Sequence, residues 1–152
     1  EIFDNLKGKF SDQIIDLTEN VDPWIRIQPE AIAAVCQYMR TDSGLDFESL
    51  MCLGGVDYED HLTVVYNLGS SRHKHKITLK VEVGREEPKV PTVEAVWRIA
   101  NWHEREAYDM YGIVFEGHSD LRRILCPDDW EGWPLRKDYK VQEYYRGMKV
   151  EV

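Results

Sequence analysis

Residues 102–139 read WHEREAYDMYGIVFEGHSDLRRILCPDDWEGWPLRKDY, and this stretch holds most of the chain's unusual side chains. Its first part, through Tyr111, continues a helical pattern that begins near Val93. The second part cannot form one long helix, because it carries four helix-breaking residues, Gly117, Pro127, Gly132 and Pro134. The sequence therefore predicts a helix that is followed by an irregular arm.

A helical wheel drawn from Val93 at 100° per residue divides the predicted helix into three sides. The packed side holds Val93, Trp97, Ala100, Glu104, Ala107 and Tyr111. A second side, which we expect to face solvent, holds Glu94, Arg98, Asn101, Arg105 and Asp109, with Glu94/Arg98 and Arg105/Asp109 as i, i+4 ion pairs. The third side, Ile99, Trp102, Glu106 and Met110, is too apolar for open water and suggests a second covered surface.

Glu104 is a carboxylate on the packed side of this helix, and burying it costs several kcal/mol unless it is paired or protonated. The nearest downstream cations are Arg122 and Arg123, and a guanidinium can donate two parallel hydrogen bonds to a carboxylate. We therefore expect a buried ion pair that joins the arm to the helix. The alternative is a carboxylate tuned for proton transfer, but no second acid or base shares its side of the helix.

His118, with Asp120, Arg122 and Arg123 nearby in sequence, is the most catalytic-looking cluster. Our preferred interpretation is a polar network that fixes the first turn of the arm. A stand-alone hydrolase or isomerase that uses Glu104, His118 and Asp120 is the alternative. Metal binding is disfavoured, because His73 and His75 lie among basic residues and His103 and Glu106 reverse the Glu-x-x-His order of carboxylate sites. Motifs for hydrolysis or nucleotide binding are absent from the sequence.

Four runs in the same stretch resemble the 30 kDa subunit family of proton-pumping NADH:quinone oxidoreductase, respiratory complex I. They are Glu104-Arg105-Glu106, residues 108–113 (YDMYGI), residues 117–125 (GHSDLRRIL) and residues 130–139 (WEGWPLRKDY). Ser119 departs from the proline that is usual in the family, and Trp133 from the histidine of many members. The resemblance marks as signature residues Glu104, Arg105, Glu106, Asp109, His118, Asp120, Arg122 and Arg123.

The resemblance implies a non-catalytic peripheral-arm subunit that scaffolds the large quinone-site subunit of a hetero-oligomer. NADH, FMN, iron–sulfur clusters and quinone are then expected in partner subunits, with no cofactor in this chain, on the cytoplasmic side of a bacterial membrane. The equivalent subunit of a membrane-bound hydrogenase, or of a ferredoxin or plastid-type quinone reductase, is an alternative. Partner contacts are expected from the arm residues Trp130, Trp133, Leu135, Arg136, Lys137 and Tyr139.

Composition narrows the possible partners. The net charge is −9, and residues 1–119 hold 12 basic and 21 acidic groups, which disfavours nucleic acid. No apolar run approaches the roughly 18 residues that span a bilayer, so membrane association would require partners. Cys36, Cys52 and Cys126 stand far apart, which is typical of reduced thiols with a core role.

The remaining pattern predicts an α+β fold. Helices are expected at residues 1–10 and from Pro29 to Ser43-Gly44, and the long helix is expected to begin at Thr92. Strands are expected at Ile14–Leu17, Trp24–Ile27, Phe47–Val56, His61–Leu68 and Lys76–Val83. This order gives a mainly antiparallel sheet with helices on one face, in a domain of residues 1–115. Residues 116–152 form the extended irregular C-terminal arm, which we expect to wrap a partner subunit and whose large aromatic side chains have no visible core of their own to enter.

Overall fold

The computed structural model describes residues 1–151 and contains three helices and one principal sheet. The helices are α1 (Ile2–Phe10), α2 (Ile32–Thr41) and α3 (Ala100–Tyr111). The strands of the principal sheet are β1 (Ile14–Thr18), β2 (Trp24–Ile27), β3 (Ser49–Asp57), β4 (His61–Ser70) and β5 (His75–Gly84). Four shorter strands follow, β6 (Lys89–Pro91), β7 (Val114–Glu116), β8 (Tyr144–Tyr145) and β9 (Met148–Lys149).

The principal sheet has the strand order β1-β2-β5-β4-β3. Its strand pairs are antiparallel except for β2 and β5, which run parallel. Strict alternation in β5 puts Ile77, Leu79, Val81 and Val83 in the core and leaves the residues between them partly exposed. The predicted α+β class and mainly antiparallel sheet are therefore confirmed, and the five strands lie within a few residues of their predicted bounds.

One hydrophobic core lies between this sheet and the helices. From α2 it receives Ile32, Val35, Cys36 and Met39, all fully buried. Of the three cysteines, only Cys36 has the expected core role, because Cys52 is exposed on β3 and Cys126 is partly exposed. A core thiol was predictable from helical spacing, whereas Cys52 falls on the uncovered side of an edge strand.

The long helix begins later than the sequence pattern predicts. Residues 93–99 form successive turns, with hydrogen bonds from the Val96 and Trp97 amides to the Val93 carbonyl, and α3 itself begins at Ala100. Thr92 still accepts the Glu94 amide at 3.1 Å, as an N-cap would, but it caps this turn instead of α3. The later start places Ile99 in the last turn before the helix.

Gly112 ends α3 in the left-handed conformation, with φ of 75°, and its amide donates a hydrogen bond to the Tyr108 carbonyl at 2.7 Å. The chain then forms β7, which pairs in parallel with β6. From 117 to 143 it has no regular strand or helix, and the β8–β9 hairpin follows. In this structure the described part of the C-terminal arm turns back onto α3 and β3.

Candidate functional site

Helix α3 is covered on two sides, by the sheet and by the C-terminal arm. The predicted solvent side is therefore wrong for Arg105 and Asp109, which are 8% and 0% exposed. Their predicted ion pair is also wrong, since each side chain binds the arm instead. The wheel placed both residues correctly on one side of the helix, but it could not show that a segment about 15 residues further on would cover that side.

Glu104 is fully buried and contacts neither arginine, so the predicted pair with Arg122 or Arg123 is wrong. Its carboxylate instead accepts the Val93 amide at 2.8 Å and the Thr92 hydroxyl at 2.5 Å. Burial raises the pKa of the Glu104 carboxyl from 4.5 to about 7, although these two hydrogen bonds oppose the rise. The two arginines pair with other carboxylates, those of Asp109 and Asp120.

His118 lies beside Glu104, with 3.9 Å between His118 Nε2 and Glu104 Oε2, and its side chain is fully buried. The backbone assigns its tautomer: Nδ1 must accept from the Asp120 amide at 3.0 Å, and Nε2 must donate to the Asn101 carbonyl at 3.0 Å. Both ring nitrogens are therefore used by backbone groups, and His118 makes no hydrogen bond to Glu104. The preferred sequence interpretation paired Glu104 with an arginine instead, and only the hydrolase alternative grouped it with His118, which comes from the arm and not from α3.

Asp109 binds the arm through both carboxylate oxygens. Oδ1 accepts the Arg123 guanidinium at 2.7 Å. Oδ2 accepts three consecutive amides, those of Ile124, Leu125 and Cys126, at 2.7–3.1 Å. Burial would raise the pKa of the Asp109 carboxyl, but these amides and the guanidinium outweigh it and hold the pKa below 3.8. This carboxylate therefore fixes the direction of the arm where it crosses α3.

Two arginines complete the contact. Arg123 also donates to the carbonyls of Asp109, Trp130 and Gly132, and its guanidinium stacks on Trp133, 4.7 Å from the ring centroid. Arg105 donates from α3 to the carbonyls of Arg122 and Arg123 at 3.2 and 3.0 Å. We call this set the α3–arm junction, and its side chains are Glu104, Arg105, Asp109, His118 and Arg123.

The other signature residues are exposed. Glu106 lies on the open side of α3, and Asp120 pairs with Arg122 at 2.9 Å with both side chains about 60% exposed. Glu94 does not pair with Arg98 as predicted. It accepts from Asn101 and from the Ser119 amide and hydroxyl, and these hydrogen bonds lower the pKa of its carboxyl to about 2. Ser119, where the family resemblance would place proline, is therefore held by hydrogen bonds.

A second anchor, which sequence reasoning missed, lies where β3 ends. Asp57 is 7% exposed, pairs with Arg85, and accepts the Lys137 amide at 2.9 Å. Lys137 also pairs with Glu59 at 3.0 Å. The only sequence signal was a carboxylate after an apolar strand, and its partner is 80 residues away in the chain.

The six residues predicted as partner contacts have different surroundings. Trp133 is half-buried against Gly112 and makes an edge contact with Tyr108, and Arg136 donates to the Tyr111 carbonyl at 2.6 Å. Trp130 donates to the Tyr139 hydroxyl at 3.2 Å. Leu135 is 53% exposed and Lys137 is exposed. The expectation that the arm's large aromatic side chains have no core of their own to enter is wrong for Trp133, which packs against the end of α3.

Chemically, the α3–arm junction holds the backbone of the arm in place, and its two central side chains are closed to solvent. Glu104 and His118 each have no solvent-accessible side-chain surface. Between residues 1 and 151 there is no group of three or more His, Cys, Asp or Glu side chains placed to hold a metal ion. Over the same residues, no helix combines the length and apolarity needed to cross a bilayer.

The fold and the α3–arm junction define a class of protein: a small α+β domain whose buried polar side chains hold a C-terminal arm against its last helix. The family can then be named. Residues 25–145 match the model of the respiratory-chain NADH dehydrogenase 30 kDa subunit, and the chain belongs to that family. The resemblance noted in the sequence is thus confirmed.

Relatives agree with this assignment. The chain is 55% identical to the C subunit of NADH-quinone oxidoreductase from Chloroherpeton thalassium over 149 residues, which are 95% of this chain and 62% of that protein. It is 46% identical to the Chlorobium phaeobacteroides protein of the same name, over 97% of this chain and 92% of that one. The chain therefore spans less than two thirds of the first relative but nearly all of the second.

Solved structures share the fold. A trypsin-resistant fragment of Nqo5 superposes with a TM-score of 0.64 at 28% identity, covering 80% of this chain and all of the fragment. A chain of the membrane-bound sulfane sulfur reductase, described as an archaeal respiratory membrane complex, superposes with a TM-score of 0.75 at 21% identity, covering 91% and 84%. The second likeness concerns the fold alone.

Proposed function

We propose that this chain is a peripheral-arm subunit of a proton-translocating NADH:quinone oxidoreductase, complex I, and that its task is positional. It holds the large subunit that forms the quinone site, on the cytoplasmic side of the membrane, while partner subunits carry NADH, FMN, iron–sulfur clusters and quinone. The observation that carries the proposal is the family match over residues 25–145. The relatives are named NADH-quinone oxidoreductase subunits, which favours NADH over hydrogen or ferredoxin as electron donor.

The geometry supports a positional role over the hydrolase alternative. Glu104 and His118 are sealed from solvent, and both ring nitrogens of His118 bind backbone groups. Asp120, the third residue of that alternative, pairs with Arg122 at the surface. A substrate has no route to these groups in this structure, whereas the same contacts give the arm a fixed path. The exposed side chains of that path, Leu135 and Lys137 among them, are available to a partner.

The test is assembly of a truncated chain. Removing residues 127–152 keeps Asp109, Arg123 and the amides of residues 124–126, so we expect the rest of the chain to fold, as measured by circular dichroism and thermal unfolding. We also expect it to fail to co-purify with the membrane complex, because Trp130 to Tyr139 are lost. The matched control removes only residues 143–152, which carry the β8–β9 hairpin, and should still assemble. Normal assembly of the chain that lacks residues 127–152 would refute the proposed role of the arm.

The proposal also predicts that the purified chain binds no stoichiometric iron, zinc or flavin. Metal analysis by mass spectrometry and an absorption spectrum of the refolded chain test this directly. Stoichiometric metal or flavin would contradict a purely positional role.

A further inference from the structure

One side of α3 remains open after the sheet and the arm have covered the other two. Trp102 is 69% exposed and Ile99, in the turn before the helix, is 56% exposed. They line a groove of about 700 Å³ together with Glu94, Arg98, Asn101 and His103. Large apolar side chains gathered at one groove are typical of a surface that another molecule covers. Ile99 and Trp102 belong to the side of the helix that the sequence pattern marked as too apolar for water, whereas Glu94, Arg98 and Asn101 belong to the predicted solvent side.

The polar groups of the groove fall into two sets. Glu94, Asn101 and His103 are already bound within the chain, since Glu94 accepts from Asn101 and Ser119, and His103 lies 3.2 Å from the Leu53 carbonyl. Arg98 is exposed and its side chain makes no ion pair or hydrogen bond with any residue from 1 to 151, and the indole N–H of Trp102 likewise finds no acceptor among them. The groove therefore presents one cation and one donor without partners among residues 1–151, beside two apolar side chains. The Glu94 carboxylate is also charged, but its oxygens already accept hydrogen bonds from Asn101 and Ser119.

These features specify the chemistry of an occupant. A guanidinium beside exposed aromatic surface pairs best with a carboxylate, through two parallel hydrogen bonds. Tryptophan and arginine are also the side chains that most often dominate the energy of protein interfaces. A second copy of this chain or an anionic bilayer is disfavoured, because the chain carries a net charge of −9 and would be repelled by either.

We propose that the groove formed by Glu94, Arg98, Ile99, Asn101, Trp102 and His103 binds a segment of another subunit of the same complex. That segment presents an Asp or Glu to Arg98 and an apolar side chain between Ile99 and Trp102. The inference rests on the proposed function in one respect, that the chain works within a complex. It adds a second contact surface, separate from the C-terminal arm.

The first experiment locates the occupant. The photo-reactive residue p-benzoylphenylalanine replaces Trp102 in the full chain, and the assembled complex is purified from membranes and irradiated. We expect one cross-linked peptide, from a different subunit, that contains an Asp or Glu. The control places the same probe at Val21, which is 99% exposed in the turn before β2 and should give no such peptide. Cross-links to a second copy, to lipid or to nothing, in a complex that contains the chain, would overturn the inference.

The second experiment tests the charge. Arg98→Glu should weaken assembly at least tenfold, whereas Arg40→Glu, at an exposed position of α2, should leave it unchanged. Replacing the Asp or Glu of the cross-linked peptide by Arg should restore assembly of the Arg98→Glu variant. Equal assembly of the two variants, or no restoration by any such reversal, refutes the carboxylate contact. Failure of the unmodified chain to enter the complex would instead refute the proposed function, so the two outcomes are distinct.

Discussion

At the scale of single residues, Glu104 makes stability depend on pH. Its pKa is about 7 in the folded chain and 4.5 as an ordinary carboxyl, so the folded state binds the proton more tightly than the unfolded state does. The stabilisation is complete below about pH 4.5, falls as pH rises, and is lost above about pH 7. The difference between the two pKa values corresponds to roughly 3 kcal/mol in the free energy of unfolding.

Glu104→Gln should remove this slope of unfolding free energy against pH, because glutamine resembles the neutral carboxyl in size and charge. We expect the variant to lose less stability than the wild type between about pH 5 and pH 8, as measured by urea unfolding at several pH values. Glu106→Gln, at an exposed position of the same helix, should keep the wild-type slope. Identical slopes for wild type and Glu104→Gln would show that Glu104 is ionised in the fold at all these pH values.

Asp109→Asn should be far more damaging than its small change in size suggests. The asparagine side chain is neutral and cannot balance the charge of the largely buried Arg123 guanidinium. Its NH2 group would also point at a donor, either the guanidinium or the backbone amides that now bind Oδ2. Breaking a buried ion pair from one side costs roughly 3–5 kcal/mol, measurable by chemical unfolding. Asp120→Asn removes a carboxylate from an exposed pair and should leave stability nearly unchanged. Similar losses in the two variants would mean that the buried contact contributes little.

At the scale of elements, the end of α3 and the arm depend on each other through Gly112. An added Cβ there would lie 2.6 Å from the Trp133 indole. The left-handed conformation itself already costs alanine roughly 1–2 kcal/mol. Gly112→Ala should therefore destabilise the chain and loosen residues 130–139, seen as a change in tryptophan fluorescence.

The matched control for this substitution is Gly8→Ala, which lies inside α1 with open space around it. It should stabilise the chain by up to about 1 kcal/mol, because alanine favours the helix over glycine. Gly112→Ala with wild-type stability and fluorescence would contradict the packing of Trp133.

At the scale of the whole molecule, the arm should unfold together with the rest of the chain. Arg123 and Arg136 are anchored to α3, whereas Arg146 lies exposed in the terminal hairpin. Limited trypsin digestion, followed by mass spectrometry, should therefore cut after Arg146 well before Arg123 or Arg136. In Asp109→Asn the cut after Arg123 should become fast. Early cleavage at Arg123 in the wild type would show that the arm detaches independently.

The periodic parts of this protein, and its family, could be predicted from the amino-acid pattern without coordinates. Alternation identified β5, because one face of that strand is buried and the other is partly exposed, and the four signature runs sufficed for family membership. Helical spacing also identified Glu104 as a carboxylate without access to water, since the burial of this side chain depends only on which side of α3 packs against the sheet.

The partners of the buried charges, by contrast, became known only from the three-dimensional arrangement. Arg123 pairs with Asp109 and not with Glu104, His118 lies beside Glu104, and Asp57 binds an amide 80 residues away. The physical reason is that the arm has no periodicity. Its path follows from long-range hydrogen bonds, and no regular interval in the sequence relates the donor of such a bond to its acceptor. The side of α3 that holds Arg105 and Asp109 looked solvated for the same reason, because a helical wheel records one helix and not the segment that covers it.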